Sequence, residues 1–231
     1  MFELSPEEYS AMLLSIKISL WSVGIILIPG IYMGWLLARR DFVGKSLVDS
    51  ILHLPLVLPP VVTGYLLLLA LGRQGTIGKW LYQQFDITLA FSWKGAVLAT
   101  ALMSFPLMVR SIRLSISAID TQLEQAARSL GASSINCFFS ITLPLAIPGI
   151  ITGSILAFAR SLGEFGATIT FVGNIEGETR TLPLAIYTYI QVPDGAESAQ
   201  RLLIISVIIA MAALLFSGFI EQRIAPWLRG K

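Results

Sequence analysis

The chain has 231 residues, 55% of them hydrophobic and only 13% charged, where an ordinary soluble domain carries roughly 25% charged residues. A formal net charge of +2 is too small to mark a nucleic-acid partner. The single cysteine, Cys137, excludes an internal disulfide, and no Cys/His cluster has metal-ligand spacing, so redox and zinc chemistry drop out.

Several runs reach the roughly 20 apolar residues that cross about 30 Å of hydrocarbon as a helix. Nothing between them is long enough for a separate domain. The chain therefore reads as one all-α integral membrane domain over 1–231, with about five transmembrane helices at 13–38, 48–71, 93–113, 143–163 and 202–222.

The N-terminal MFELSPEEYS is acidic and lacks the basic region of a cleavable signal, so the first hydrophobic segment is expected to stay in the mature protein. Ser5-Pro6-Glu7-Glu8 reads as a helix start: Ser5 as N-cap, Pro6 at the first helical position, Glu8 closing a capping box. The first span ends at Arg39-Arg40. The second contains HLPLVLPPVVTG, where Pro55, Pro59 and Pro60 must kink the helix and free carbonyls that need partners in a bundle or beside water. His53, beside Pro55, reads as a packed or interfacial residue rather than a proton carrier. A polar loop at 72–92 holds the amphipathic IGKWLYQQF. The third span continues through MVRSIRLSI, which carries Arg110 and Arg113 out into water.

A polar loop at 118–142 follows, and within it Thr121 and Glu124 form a T-x-x-E capping box. Leu123, Ala126, Ala127 and Leu130 make one apolar face, and Gly131 is a suitable C-terminal stop. A second short helix starts at Ser133 or Ser134 and runs into the fourth span, where Pro144 and Pro148 set the entry geometry. A capped connector explains these residues, but a connector needs no small-residue face. Ala126, Ala127 and Gly131 suit close docking into a groove on another protein. After the fourth span, the apolar Leu182–Val192 is too short to cross and reads as a re-entrant or interfacial helix. The fifth span then leads to EQRIAPWLRGK.

Basic residues favour the cytoplasm. Arg39, Arg40, Lys45, Arg110, Arg113, Arg128, Arg223, Arg229 and Lys231 fall on one side of the five-span arrangement. The other side offsets Lys17, Arg73, Lys79, Lys94, Arg180 and Arg201 with acids that include Glu3, Glu7, Glu8, Asp86, Glu176, Glu178, Asp194 and Glu197. The N-terminus is expected outside and the C-terminus in the cytoplasm, which puts the 118–142 loop in the cytoplasm and the short Leu182–Val192 helix outside.

Glu124-Gln125-Ala126-Ala127, then three residues, Gly131, then nine residues, Ile141-Thr142-Leu143-Pro144, resembles the EAA motif of the membrane subunits of ABC importers. It departs at Gln125, where the motif usually has Ala. The resemblance implies that this segment is a coupling helix, set in a cleft of an ATP-binding subunit, with Glu124, Gln125, Ala126, Ala127, Gly131, Ile141, Leu143 and Pro144 as the coupling residues. FARSLGEFGATITFVGNIEGETRTLPLAIY, Phe158 to Tyr187, is similar to the corresponding stretch of molybdate, tungstate and sulfate permeases, with its R-x-L-G-E-F-G signature. Its latter part looks most like bacterial molybdate permeases. The resemblance extends from Leu13 to Leu228.

It implies the permease subunit of an ATP-driven importer for a tetrahedral oxyanion, most like molybdate, in a bacterial inner membrane. Sulfate or tungstate is the alternative within the family. The chain has no G-x-x-x-x-G-K-[ST] loop, so it is not itself the enzyme and binds no cofactor. ATP and Mg belong to two separate cytoplasmic ATP-binding subunits. Five spans are too few to enclose a pathway, so a second copy of the chain is expected across a two-fold axis. A periplasmic or extracellular molybdate-binding protein delivers the anion. A stand-alone secondary transporter would need ionisable residues on several spans or an inverted repeat, and neither is present.

Arg160 and Glu164 are four apart and share a helix face. They read either as an ion pair fixing the helix end or, with the flanking Gly163 and Gly166, as an outer gate with a sharp backbone break. Thr63, Thr152 and Ser154 are the small polar candidates for lining an anion pathway, although hydroxyls in membrane helices also bond their own backbone.

Overall fold

The computed structural model describes residues 4–228, and the side chains of 4–216, 218 and 219. Arg229 and Lys231, counted above on the cytoplasmic side, and Glu3 lie outside the described residues, as does the side chain of Arg223. The described residues form α1 (Pro6–Arg39), α2 (Lys45–Val57), α3 (Pro60–Leu71), α4 (Thr76–Phe85), α5 (Trp93–Ser117), α6 (Thr121–Ser129), α7 (Ser134–Cys137), a π turn at Phe138–Thr142, α8 (Leu143–Leu162), α9 (Gly166–Phe171), α10 (Leu182–Tyr189) and α11 (Ala196–Leu228).

Four pieces are long and apolar enough to cross a membrane: α1, α5, the continuous run Ser134–Leu162, and α11. Each overruns the apolar stretch read from the sequence, because the helices continue into their polar caps. The expected second span, 48–71, is a more severe departure. It is two helices, α2 and α3, bent by 111°. Pro29, Pro55, Pro106 and Pro148 all lie inside helices that continue past them. The tandem Pro59-Pro60 is different because a residue preceding proline is driven out of the α region. Leu58 (φ −69°, ψ 144°) and Pro59 (φ −55°, ψ 133°) are consequently both extended, and the helix is cut rather than kinked.

The start of α1 is as read. Ser5 N–H donates to Glu8 Oε2 at 2.9 Å and Glu8 N–H donates to Ser5 Oγ at 3.2 Å, with Pro6 at N1. The sequence did not show that Glu8 is fully buried and paired with Arg201 of α11 through Nη2 at 2.9 Å. That pair ties together the two helices nearest the chain ends.

The bundle is organised around α5, whose apolar window is 67% buried against 11% for α11. Close helix approach in membranes relies on small residues, and α5 is approached this way on two sides. Gly30 and Gly34 of α1 lie against Met108 and Ile112. Gly149 and Gly153 of α8 lie against Ser115, Ser111 and the Met108 backbone, and Ser111 Oγ donates to the Gly149 carbonyl at 3.0 Å. Ser22 of α1 and Thr100 of α5 share a hydrogen bond of 2.5 Å in the same seam.

On a third side, α9 and α3 cover the Trp93 half of α5, burying Ala99, Met103, Ala167 and Phe171 together. The α9 helix was not expected from the sequence. α3 approaches it so closely that a Cβ on Gly64 would lie 2.5 Å from the Ala167 carbonyl oxygen. The short helix expected at Leu182–Val192 is α10, buried through Leu182, Leu184 and Ala185 and fixed to α1 by Leu182 N–H donating to Ser15 Oγ at 2.7 Å.

Candidate functional site

The 118–142 loop folds as two short helices around one carboxylate. α6 is capped by Asp120, whose side chain accepts from Gln122 N–H at 2.9 Å. The T-x-x-E box expected at Thr121 and Glu124 is therefore not formed. Asp120 is an equally good N-cap one residue earlier, which leaves Glu124 free to turn inward. Glu124 is buried, and its Oε1 accepts both from Arg39 Nε of α1 at 3.0 Å and from Thr142 Oγ1 of the π turn at 2.9 Å. Arg39 Nη2 donates further to the Ile119 carbonyl at 3.0 Å. One carboxylate thus ties the end of α1, the loop helix and the entry to α8.

The π turn is what brings Thr142 into place. It lies just before Pro144, whose ring would crowd the Ser140 carbonyl in an ideal α turn, and the wider turn relieves that.

Gly131 ends α6 as expected, with φ +88°. Ala132 N–H donates to the Ala127 carbonyl and Gly131 N–H to the Arg128 carbonyl, a Schellman stop. Ser133 caps α7 by accepting from Asn136 N–H at 3.2 Å.

With the acid turned in, the apolar face of α6 is turned out. Leu123 is 49% exposed and Leu130 is 89% exposed. Gln125 and Ala126 are exposed with them, and Ala127 is half-buried. Ile141, Leu143 and Pro144 are half-buried along the α8 entry. They belong to the support of the loop more than to its outer face.

At the far end of α8, Arg160 Nη1 lies 2.6 Å from Glu164 Oε2. Glu164 is buried, and its Oε1 accepts from Ala167 N–H at 2.8 Å, so one carboxylate fixes both the end of α8 and the start of α9. The chain breaks direction there, yet Gly163 has φ −91° and no close neighbour on its Cβ side, so it does not require glycine. Gly166 does: a Cβ there would meet Pro60 Cβ at 2.7 Å. The Pro59-Pro60 corner and the α8–α9 turn are thereby in contact.

The three hydroxyl candidates separate. Ser154 Oγ donates to its own helix at the Ile150 carbonyl at 2.8 Å and lines a cavity of about 280 Å³ with Leu20, Val23, Ala213 and Phe216, between α1, α8 and α11. Thr152 Oγ1 bonds the Pro148 carbonyl at 2.9 Å. Thr63 is buried at the start of α3, with no hydrogen-bond partner for its hydroxyl among the described residues. His53 Nδ1 is 2.8 Å from its own i−4 carbonyl, Asp49, as a packed residue would be. Sequence reasoning missed Arg39 and Thr142 as partners of Glu124. The available signal was a glutamate in a loop that adjoins the basic span end at Arg39-Arg40.

A family model described as binding-protein-dependent transport system inner membrane component matches residues 30–229. The Molybdenum transport system permease protein ModB of Escherichia coli K12 is 62% identical over 219 residues, covering 95% of this chain and 96% of that one. The protein of the same name from Haemophilus influenzae is 56% identical over 216 residues, covering 94% of each. Among solved structures, the MetNI methionine ABC transporter in inward-facing conformations matches with a TM-score of 0.71 at 15% sequence identity, covering 96% of this chain and 99% of that one. That last likeness is one of fold.

Proposed function

We propose a molybdate permease function for this chain, which belongs to the family of binding-protein-dependent transport system inner membrane components. It is a multi-pass inner-membrane transport subunit, and its carried anion is molybdate. The single observation behind that choice is 62% identity with a molybdenum permease over 95% of the chain. Two copies form the pathway, two separate subunits hydrolyse ATP with Mg, and an external binding protein delivers the anion. The N-terminus is outside and the C-terminus is cytoplasmic.

The loop geometry supports a coupling mechanism. The exposed Leu123, Ala126 and Leu130 face of α6 docks in a cleft of the ATP-binding subunit, burying surface that the chain itself leaves open. ATP-driven closure of the two ATPase subunits draws the two α6 helices together. Because Glu124 holds Arg39 and Thr142, each α6 moves α1 and α8 with it, and the pathway rocks from inward-open to outward-open. The Arg160–Glu164 turn sits at the opposite end of α8, where it braces the outer gate against α3 through Gly166 and Pro60. A pathway that must release its cargo cannot bind it tightly, which is why an external protein carries the affinity.

The test is purification from membranes followed by reconstitution. An ATPase subunit should co-purify, and a molybdate-loaded binding protein should stimulate its ATP hydrolysis and drive molybdate uptake. Competition by tungstate and sulfate then ranks the anions. Uptake of sulfate in preference to molybdate would refute the molybdate assignment.

A further inference from the structure

On the α6 half of the molecule the cations are mostly satisfied. Arg39 pairs with Glu124, Lys45 with Asp41 at 2.9 Å, and Arg113 with Asp49 at 3.0 Å, while Arg40 lies over the Trp35 ring. Arg110 is the exception on the spans. It projects from α5, the most buried helix, is exposed, and has no ion pair or hydrogen bond among the described residues.

The direction in which it projects follows from its neighbours. Met108 and Ile112 face α1 through Gly30 and Gly34. Arg110 is two residues from each, about 200° around the helix, so it points away from α1. Arg110 therefore opens onto the side of α5 turned away from α1.

That side is roofed in the Trp93 half by α9 and α3, which bury Ala99 and Met103. It is left open below them, where Leu114 is 64% exposed. Asp49 and Leu52 of α2 border it, through Arg113 and Val109. The result is an open face below a ceiling, bordered by α2 and carrying a cation with no ion pair or hydrogen bond among the described residues; in the proposed assembly the pathway lies between two such halves.

We propose that Arg110 is an anion-guiding residue of the transport pathway. Placed at its cytoplasmic mouth, it meets the Arg110 of the second copy across the two-fold axis, and the two guanidinium groups receive a divalent tetrahedral oxyanion as it leaves. The inference rests on the proposed permease function and deepens it by naming a specificity residue. A planar guanidinium donates two parallel hydrogen bonds to an oxyanion. An exposed, wet position keeps that contact weak enough for release.

The test uses the complete complex in proteoliposomes, with wild type, Arg110→Gln and Arg110→Lys. Arg110→Gln should lower molybdate uptake about tenfold, the scale for removing one charge a few ångströms from a dianion in a water-filled mouth. ATPase co-purification and binding-protein-stimulated ATP hydrolysis should persist, and Arg110→Lys should recover most of the uptake. In a second measurement, Arg110→Cys in a Cys137→Ser background should react with a charged, membrane-impermeant thiol reagent from the ATPase side, and molybdate during turnover should slow that reaction.

Normal uptake by Arg110→Gln overturns the inference. So does loss of uptake together with the ATPase subunit, which would make Arg110 a partner contact. So does a defect seen only in vesicles rich in anionic lipid, which would assign the guanidinium to lipid phosphate. Failure of the wild-type complex to import any oxyanion would instead remove the permease function on which the inference stands.

Discussion

Replacing Glu124 by Ala removes the shared acceptor of Arg39 Nε and Thr142 Oγ1. The side chains of Arg39 and Glu124 are 12% and 10% exposed, so water reaches the orphaned guanidinium only in part. Breaking a fully buried pair from one side costs roughly 3–5 kcal/mol. Arg39 keeps its bond to the Ile119 carbonyl, which brings the expected cost to about 2–3 kcal/mol, enough to raise the open population of the loop about 30- to 150-fold. Glu124→Gln keeps a neutral acceptor for Thr142 and should cost about half as much. The assay is hydrogen–deuterium exchange on the purified complex in nanodiscs, following peptides over 119–142 and the Arg39 end of α1. Both should exchange faster in Glu124→Ala, and Arg39→Met/Glu124→Ala should be less destabilised than the sum of the single changes. If Glu124→Ala instead left exchange unchanged and abolished co-purification of the ATPase subunit, Glu124 would be a partner contact, and the internal brace would be the wrong account.

Gly131→Val forces a β-branched residue to φ +88° at a cost of about 1–3 kcal/mol, although nothing lies within 4 Å of the added Cβ. Membrane insertion should be normal while ATPase association and uptake fall, and Gly131→Asn should be milder; normal transport by Gly131→Val would refute the docking role. Gly149→Val drives a side chain into Ser115 and should lower the thermal aggregation midpoint in detergent by an overpacking cost of roughly 1–3 kcal/mol. Gly24→Val, which meets nothing within 4 Å, should leave it unchanged. Arg201→Met leaves the buried Glu8 without its ion-pair partner and should lower the thermal aggregation midpoint. Adding Glu8→Gln should restore most of the loss, as read by the same thermal assay.

What could be read from the sequence was local. The Ser5 to Glu8 cap, the Gly131 stop, the Ser133 start and the Arg160–Glu164 pair all lie within one or two helical turns, where spacing dictates contact. The spans were legible because apolar length decides them. The rest depends on contacts distant in sequence. Arg39 and Glu124 are 85 residues apart and Glu8 and Arg201 are 193 apart, so no spacing rule relates them. Prolines announced trouble in 48–71 but not its scale, since Pro29, Pro55, Pro106 and Pro148 all sit inside continuing helices. Only the doubling at Pro59-Pro60 forces two consecutive extended residues. The α9 helix escaped notice because GATITF is β-branched and only six residues long; it is held by the Glu164 carboxylate on Ala167 N–H and by packing on α3, not by propensity.

The 118–142 loop inverts the usual assignment of polar residues to the surface and apolar ones to the inside. Its Glu124 is buried and its leucines Leu123 and Leu130 are exposed, which is unfavourable for a free connector in water. Each half of the inversion has its own physical justification. A buried carboxylate shared by two donors transmits displacement stiffly, because any shift of α6 against α1 or α8 must stretch a charge-assisted bond. An apolar outer face has no directional demands, so in the proposed complex the ATPase cleft would hold it through ATP-bound and ATP-free shapes without breaking specific hydrogen bonds. Rigidity is thus placed on the inward side of α6 and tolerance on its exposed side, as the proposed coupling requires. A Glu124 that merely capped its own helix would have supplied neither.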